Sequence, residues 1–404
     1  MTAYAVVNAQ AAPPAEAYGF VRSRVLSAAG FAVAAAEIAT WPGYAPTPLH
    51  SLPGLARKLG LREIRYKDER SRFGLKSFKA LGGAYAVANV LKRALRAAGR
   101  GDATSVELVN GTFKDIVARV TVTCATDGNH GRSVAWGAQL FGCRCVIYVH
   151  EKVSQGRRDA IARYGADVVE VKGNYDDAVR HAAATAAANG WTVVSDTSYP
   201  GYREIPSDVM HGYGVMAAEI GAQMETPPTH VLVQAGVGAL AAAMCADFWL
   251  RWGERRPRFV VVEPTTADCV TRSLMAGRPV AVAGDLDTIM AGLACGEVSE
   301  LAWEILGTGT NAAVAVPDSY ALAAVRAFAA PVPGDPAIVS GETGAAGLAA
   351  LLAARDDPGI AAALALDADA RVLLLGSEGD TDPAIYRDIV GRSADEVLGK
   401  GSEP

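Results

Sequence analysis

Cysteine is scarce and scattered: the 404-residue chain has six, and their spacing forms no disulfide framework. Cys143 and Cys145 stand two apart without a matching Cys or His pair, which argues against a structural zinc site. Cys269 and Cys295 are expected as two buried thiols rather than a bridge. Long apolar runs are also missing, because Asp, Glu or Arg interrupts the alanine-rich stretches, so no membrane span is expected. The first cationic residue is Arg22, so the N-terminus lacks the charged-then-apolar pattern of a secretory signal. Asn110-Gly111-Thr112 fits a glycosylation sequon but has no secretory context. Positive charge is not in excess: 38 Lys and Arg against 43 Asp and Glu give a net charge of −5. No basic stripe interleaved with aromatics occurs, which removes nucleic acid as an expected partner. No internal repeat or long linker stands out, and a soluble cytoplasmic protein is the expectation.

What is present is apolar content of 50%, enough for a large core and more than one domain. Residues 1–18 are mostly small and weakly patterned, and their first part is expected to be poorly ordered. Pro42-Gly43-Tyr44-Ala45-Pro46-Thr47-Pro48-Leu49 reads as extended, since each residue before a proline is pushed out of the helical region. A strand is expected at 63–67, a helix at about 77–96, and a polar surface insertion at 100–114. An alternating series follows, with strands at 120–124, 145–149, 167–171 and 192–195 separated by helices at 130–141, 153–164 and 175–188. A second series places strands at 230–234, 258–263, 313–316 and 371–376. Short apolar strands alternating with helices predict an α/β fold of two parallel-sheet lobes. Ligands of such sheets bind beyond the carboxyl ends of the strands.

Four segments fall at positions of that kind. The first is Gly74-Leu75-Lys76-Ser77-Phe78-Lys79-Ala80-Leu81-Gly82-Gly83, with Lys79 between Ser-Phe and an expected Gly-Gly turn. Lysine is the residue type that forms an imine with a cofactor aldehyde; alone, Lys79 also reads as a surface lysine at a helix start. The second is Thr126-Asp127-Gly128-Asn129-His130-Gly131, after a strand and opening a helix. Its backbone N–H groups suit an anion such as a substrate carboxylate, and Asn129 can donate to a phenolic oxygen. Alone it is equally a glycine-containing turn with an Asn cap. The third is Gln234-Ala235-Gly236-Val237-Gly238-Ala239-Leu240, whose glycines would let the backbone approach a phosphate at a helix N-terminus. Ala241 stands where a dinucleotide fingerprint needs its third glycine, and no Lys-Ser/Thr follows to make a P-loop. The fourth is Leu375-Gly376-Ser377-Glu378-Gly379-Asp380-Thr381-Asp382, where a hydroxyl could meet a pyridine nitrogen.

Together and in this order, the four segments resemble the fold-type-II, tryptophan synthase β-like pyridoxal 5'-phosphate (PLP) enzymes over about residues 47–382. Within them, Ser71-Arg72-Phe73-Gly74-Leu75, Ala125-Thr126-Asp127-Gly128-Asn129-His130-Gly131-Arg132, Asp196-Thr197 with Gly201-Tyr202, and Glu378-Gly379-Asp380-Thr381-Asp382 resemble the diaminopropionate ammonia-lyase family. The resemblance implies a large PLP-binding domain of residues 1–84 plus 197–404, a smaller α/β domain of 85–196, and the cofactor in the cleft between the lobes. It implies that Lys79 carries PLP, with Phe78, Asn129, Gly236, Val237, Gly238, Ala239, Leu240 and Ser377 also binding it. Thr126, Asp127, Gly128, His130 and Asp196 are implied at a small amino-acid substrate, and a homodimer is implied as the assembly.

Two carboxylates carry the specificity argument. Relatives that dehydrate serine or threonine usually have a small neutral residue where this chain has Asp127. An anion beside the substrate carboxylate is unfavourable unless the substrate brings a second ammonium group. The resemblance therefore implies α,β-elimination from 2,3-diaminopropionate, giving pyruvate and two ammonia, with Lys79 and Asp127 as bases on opposite faces and Asp196 in support. Asp196 also reads as a turn cap, and His130 as a packed or capping residue rather than an acid–base group. The competing readings are a serine/threonine dehydratase-like or cysteine-synthase-like PLP enzyme, a dinucleotide oxidoreductase and a non-catalytic sensor. No metal is expected.

Overall fold

The computed structural model describes residues 2–126 and 128–400. Among the described residues eleven strands run in chain order: β1 (Tyr4–Val7), β2 (Leu49–Ser51), β3 (Glu63–Asp68), β4 (Thr121–Ala125), β5 (Arg144–His150), β6 (Asp167–Val171), β7 (Thr192–Val193), β8 (His230–Gln234), β9 (Arg258–Pro264), β10 (Ala312–Val316) and β11 (Arg371–Gly376). They form two sheets, in the orders β1-β10-β9-β8-β11-β3-β2 and β6-β5-β4-β7. The chain divides into two compact units, one of residues 1–27, 46–77 and 216–404, the other of 28–45 and 78–215.

In the first unit β10, β9, β8, β11 and β3 are parallel, as continuous apolar runs such as Phe259-Val260-Val261-Val262 require when both faces are covered. The two edges are antiparallel and lie outside the expected alternation. β1 corrects the expectation of a poorly ordered N-terminus: Tyr4 pairs with Ala315 and Val7 with Ala312. Beyond it Asn8 is buried and donates to Gly307 O at 3.0 Å and Thr310 O at 2.7 Å. Tyr-Ala-Val-Val is a short β-favouring run, too short to stand out without its partner strand.

The second unit has a fully parallel sheet. Its helix Lys79–Ala97 contains the Gly82-Gly83 pair, which is therefore helix interior rather than a turn. The reason is packing. A β-carbon on Gly82 would meet Tyr213 Cε1 at 2.4 Å, and one on Gly83 would meet Ser133 Oγ at 1.9 Å. The expected insertion at 100–114 contains the short helix Ser105–Val109, with Leu108 buried and Ser105 donating to Glu37 at 2.7 Å.

A four-charge cluster is buried in the first unit. Lys67 Nζ lies 2.6 Å from Glu219 Oε2, and Arg72 bonds Glu69 at 2.8 Å and Glu219 at 2.7 Å. Thr47 and Gln223 complete the hydrogen bonds. Burial pushes the Glu219 carboxyl up, but the Arg72 and Lys67 contacts outweigh it and hold it at about 2, against an ordinary 4.5. A carboxylate depressed on folding contributes stability that is fully present above the ordinary value and is lost as pH falls through the folded one. The acid limb should therefore lie between about pH 4.5 and about pH 2. Glu219→Gln leaves two buried cations facing one carboxylate, and should cost about 3–5 kcal/mol in urea denaturation while removing that limb's steepness.

Candidate active site

In the second unit, β4 and β7 are neighbours, so the loop after Ala125 and the segment after Val193 leave the sheet side by side. Asp196 comes from the second of these. Its Oδ2 lies 2.5 Å from the Nζ of Lys79, the first residue of the helix Lys79–Ala97. Burial pushes the Asp196 carboxyl up. The charge of Lys79, with hydrogen bonds from Lys79 and its own backbone, overcomes that and holds it well below the usual carboxylate range. Asp196 is therefore an anion throughout any working pH.

His130 is buried against the same pair. Its Nε2 is 2.8 Å from Val194 O, and because a carbonyl only accepts, Nε2 carries the proton. Its Nδ1 has no hydrogen-bond partner and lies 3.8 Å from Asp196 Oδ2. Burial, helped by the Lys79 charge, lowers the imidazole against the pull of Asp196. A neutral ring results, and the anion of Asp196 is left to Lys79. Thr126 shapes the loop between them: its Oγ1 accepts from Gly128 N and Gly131 N, both at 3.1 Å. Asn129 opens the helix Asn129–Phe141, and its Oδ1 accepts from Arg132 at 3.0 Å, which assigns its amide nitrogen as the donor end. Asp127 lies outside the described residues.

Two tyrosines lie beside this group: Tyr213 was not singled out by sequence, and Tyr202 only within the Gly201-Tyr202 pair of the resemblance. Tyr213 packs its ring on Phe78 at 4.7 Å, and Lys79 Nζ stands 5.9 Å from the Tyr213 ring centre. Its hydroxyl is buried without a hydrogen-bond partner, and burial pushes the phenol up, so it stays protonated. The Tyr202 hydroxyl accepts from Ser195 N at 3.0 Å and donates to Val193 O at 2.9 Å, which sets the segment that ends in Asp196. Tyr213 sits in no recognisable motif, since it lies mid-helix.

In the first unit, β8 ends at Gln234 and the loop 235–238 leads into the helix Ala239–Trp252. Gly238 has φ +92°, and no side chain caps the helix, so its first N–H groups lack an intrahelical partner. A β-carbon on Gly236 would meet Cys295 Sγ and Gly292 O, each at 2.9 Å. The loop is thus walled from below, and Ser299 N donates to Val237 O at 2.9 Å. β11 lies next to β8, which brings Ser377 to the same sheet edge. No disulfide joins the six cysteines, Cys269 and Cys295 included. Among the described residues no group of His, Cys, Asp and Glu could hold a metal, and no helix is long and apolar enough to cross a membrane.

Taken unit by unit, the donors suit PLP. In the second unit the Lys79 amine suits the aldehyde; in the first, the uncapped helix start after the 235–238 loop suits the phosphate and the buried Ser377 hydroxyl suits a ring nitrogen. The close approach of helices around Lys79 is testable. A methyl at Gly212 would fall 2.3 Å from Leu81 O, a backbone atom that cannot rotate away. Gly212→Ala should therefore lower stability by about 1–3 kcal/mol, overriding the roughly 1 kcal/mol helix preference for Ala. Thermal unfolding reads the loss.

A family model described as pyridoxal-phosphate dependent enzyme matches residues 40–375. The chain is 43% identical to the diaminopropionate ammonia-lyase of Escherichia coli strain K12 over 354 residues, which is 86% of this chain and 88% of that protein. It is 42% identical to the enzyme of the same name from Salmonella typhimurium, over 87% of this chain and 90% of that one. The crystal structure of the Escherichia coli enzyme in complex with D-serine superimposes with a TM-score of 0.87 at 38% identity, covering 97% of this chain and 98% of that one.

Proposed function

The chain belongs to the pyridoxal-phosphate dependent enzymes, among the diaminopropionate ammonia-lyases, and from that premise we propose that it converts 2,3-diaminopropionate and water to pyruvate and two ammonia. The observation that carries this reading is Asp196, an anion held 2.5 Å from Lys79 Nζ. A permanent carboxylate beside the reacting lysine suits a substrate that brings a second ammonium group better than one that brings a hydroxyl.

Pyridoxal phosphate, when bound, supplies the electron sink for the charge left at the substrate α-carbon. The chain does the rest. Lys79 holds the cofactor until the substrate amine takes its place, and then removes the α-proton from one face. Asp127 removes it from the opposite face in the other enantiomer; the Escherichia coli relative has been crystallised with D-serine. Asp196, or Asp127, keeps the β-nitrogen protonated by charge pairing, so that it leaves as ammonia. Loss of that group, followed by hydrolysis of the released enamine, accounts for the second ammonia. Thr126, Gly128 and His130 form the loop that receives the substrate carboxylate. Asn129 and Phe78 contact the cofactor beside Lys79, residues 236–240 bind the phosphate, and Ser377 donates to the ring nitrogen. A cytoplasmic homodimer is the accompanying assembly. The adjacent Phe20 and Val21, 79% and 72% exposed, form an apolar surface that supports it, and the mass of the eluting protein tests it.

Lys79→Ala should abolish turnover, by more than about 10³-fold for loss of a covalent group, and borohydride treatment should then leave no cofactor adduct on that peptide in mass spectrometry. Asp127→Asn should depress kcat/KM for the D-enantiomer far more than for the L-enantiomer. Equal losses on the two would contradict the two-base assignment, and faster pyruvate release from L-serine than from either diaminopropionate would favour a dehydratase instead.

A further inference from the structure

Gln234 closes β8 and is buried. Its Nε2 lies 2.9 Å from Leu375 O and 2.5 Å from Ser377 Oγ. The amide cannot be turned over. A backbone carbonyl only accepts, so the side-chain oxygen placed there would face another acceptor. One N–H of Gln234 therefore goes to Leu375 O and the other into the oxygen of Ser377. The Gln234 oxygen itself has no hydrogen-bond partner, so it does not take the Ser377 proton.

A hydroxyl that accepts from an amide keeps its own hydrogen for a different acceptor. Ser377 is 1% exposed, so water is not that acceptor, and no protein group among the described residues receives the hydrogen. A buried donor left in this state costs stability unless a ligand accepts from it. The loop that follows Gln234 is the proposed phosphate loop, and Ser377 lies on the adjoining strand end.

We propose that Gln234 is a positioning residue: it turns the Ser377 hydroxyl into an obligatory donor to the pyridine nitrogen of the bound cofactor. The inference rests on the PLP reading above and adds to it a residue that does not touch the cofactor. A serine hydroxyl is far too weak an acid to surrender its proton to a pyridine. The ring nitrogen is thus hydrogen-bonded but unprotonated, and the donor's direction is set by Gln234. A carboxylate at position 234 reverses the arrangement, because it accepts from Ser377 and draws the hydroxyl proton away from the ring.

The test uses holoenzyme loaded with cofactor labelled with nitrogen-15 at the ring, in wild type, Ser377→Ala, Gln234→Glu, Gln234→Leu and the double variant Gln234→Glu/Ser377→Ala. Gln234→Glu should displace the ring-nitrogen resonance in the same direction as Ser377→Ala. It should add no further displacement once Ser377 is gone, which is the signature of two residues acting through one contact. Cofactor Kd should rise about fivefold in each single variant, the weight of one hydrogen bond. Gln234→Glu is nearly isosteric and carries the test if Gln234→Leu does not fold. A resonance that moves in Ser377→Ala but stays put in Gln234→Glu overturns the proposal, as do additive displacements. Borohydride adducts at Lys79 in these variants show that the functional reading holds whichever way the resonance falls. Their absence from wild type would overturn that reading, and this inference with it.

Discussion

Four buried charges brace the segment that follows β3 and precedes Lys79 in the chain. Lys67 leaves β3, Glu69 and Arg72 follow within five residues, and Glu219 reaches in from the helix Glu204–Gln223. Taking four ions out of water costs several kcal/mol each before pairing. Here every carboxylate meets a guanidinium or ammonium, so the cost is met only if all four stay together. Burial lowers the Lys67 ammonium even though Glu69 and Glu219 oppose it, which shows how narrow the margin is. What the cluster provides is a defined path. Just beyond it Phe73 and Lys76 take φ of 48° and 55° with Gly74 at 71° between them, a conformation that costs a residue with a side chain about 1–2 kcal/mol. Lys76 is held there by Asp380 at 2.6 Å, and Ser77 bridges to Glu378. Lys79 then opens its helix. A loose loop would deliver the same residue with no fixed direction.

A second constraint acts within the other unit, where glycine does the work of closeness rather than of flexibility. The helix Lys79–Ala97 meets the helix Asn129–Phe141 through Gly83 against Ser133 and Gly137 against Ala84, and meets the helix Glu204–Gln223 through Gly82 against Tyr213 and Gly212 against Leu81. Each contact is too short to admit a β-carbon. None of these glycines has the positive φ that would mark a turn. At Gly137 and Gly212 the neighbour is backbone, Ala84 Cα and Leu81 O, which side-chain rotamer changes cannot relax; at Gly82 and Gly83 it is the buried Tyr213 ring and the Ser133 side chain.

This also explains which parts could be read from sequence. The strands of 167–171, 230–234 and 371–376 coincide with the expected spans because each is an apolar or β-branched run bounded by turn residues. The Lys79 segment and the glycine loop after β8 stood out as candidates because their proposed chemistry requires residue types at fixed places. Gly82-Gly83 misled for a physical reason: a glycine pair has the same letters whether it turns a chain or admits a neighbouring helix. β1 was illegible because its strand character comes from pairing with β10, some three hundred residues away. The charge cluster, Tyr213 and Gln234 share that difficulty. Each gains its meaning from partners distant in sequence, as when Gln234 meets Ser377 across 143 positions.

The two titratable groups buried beside Lys79 Nζ have been separated by environment rather than by type. Asp196 and His130 are both buried beside Lys79, yet burial drives the imidazole to its neutral form while the carboxylate stays ionised. The difference lies in their partners. Asp196 receives the charge and a hydrogen bond of Lys79, whereas His130 spends its only proton on Val194 O. Cys124, buried close by, has its thiol pushed up by burial first and by Asp196 second, so it adds no competing anion. Among the described residues, one permanent negative charge therefore faces the Lys79 amine beside groups that remain neutral. When the amine's place is taken by a substrate, that charge is still present, and the second nitrogen of a diamine is the substrate group able to answer it.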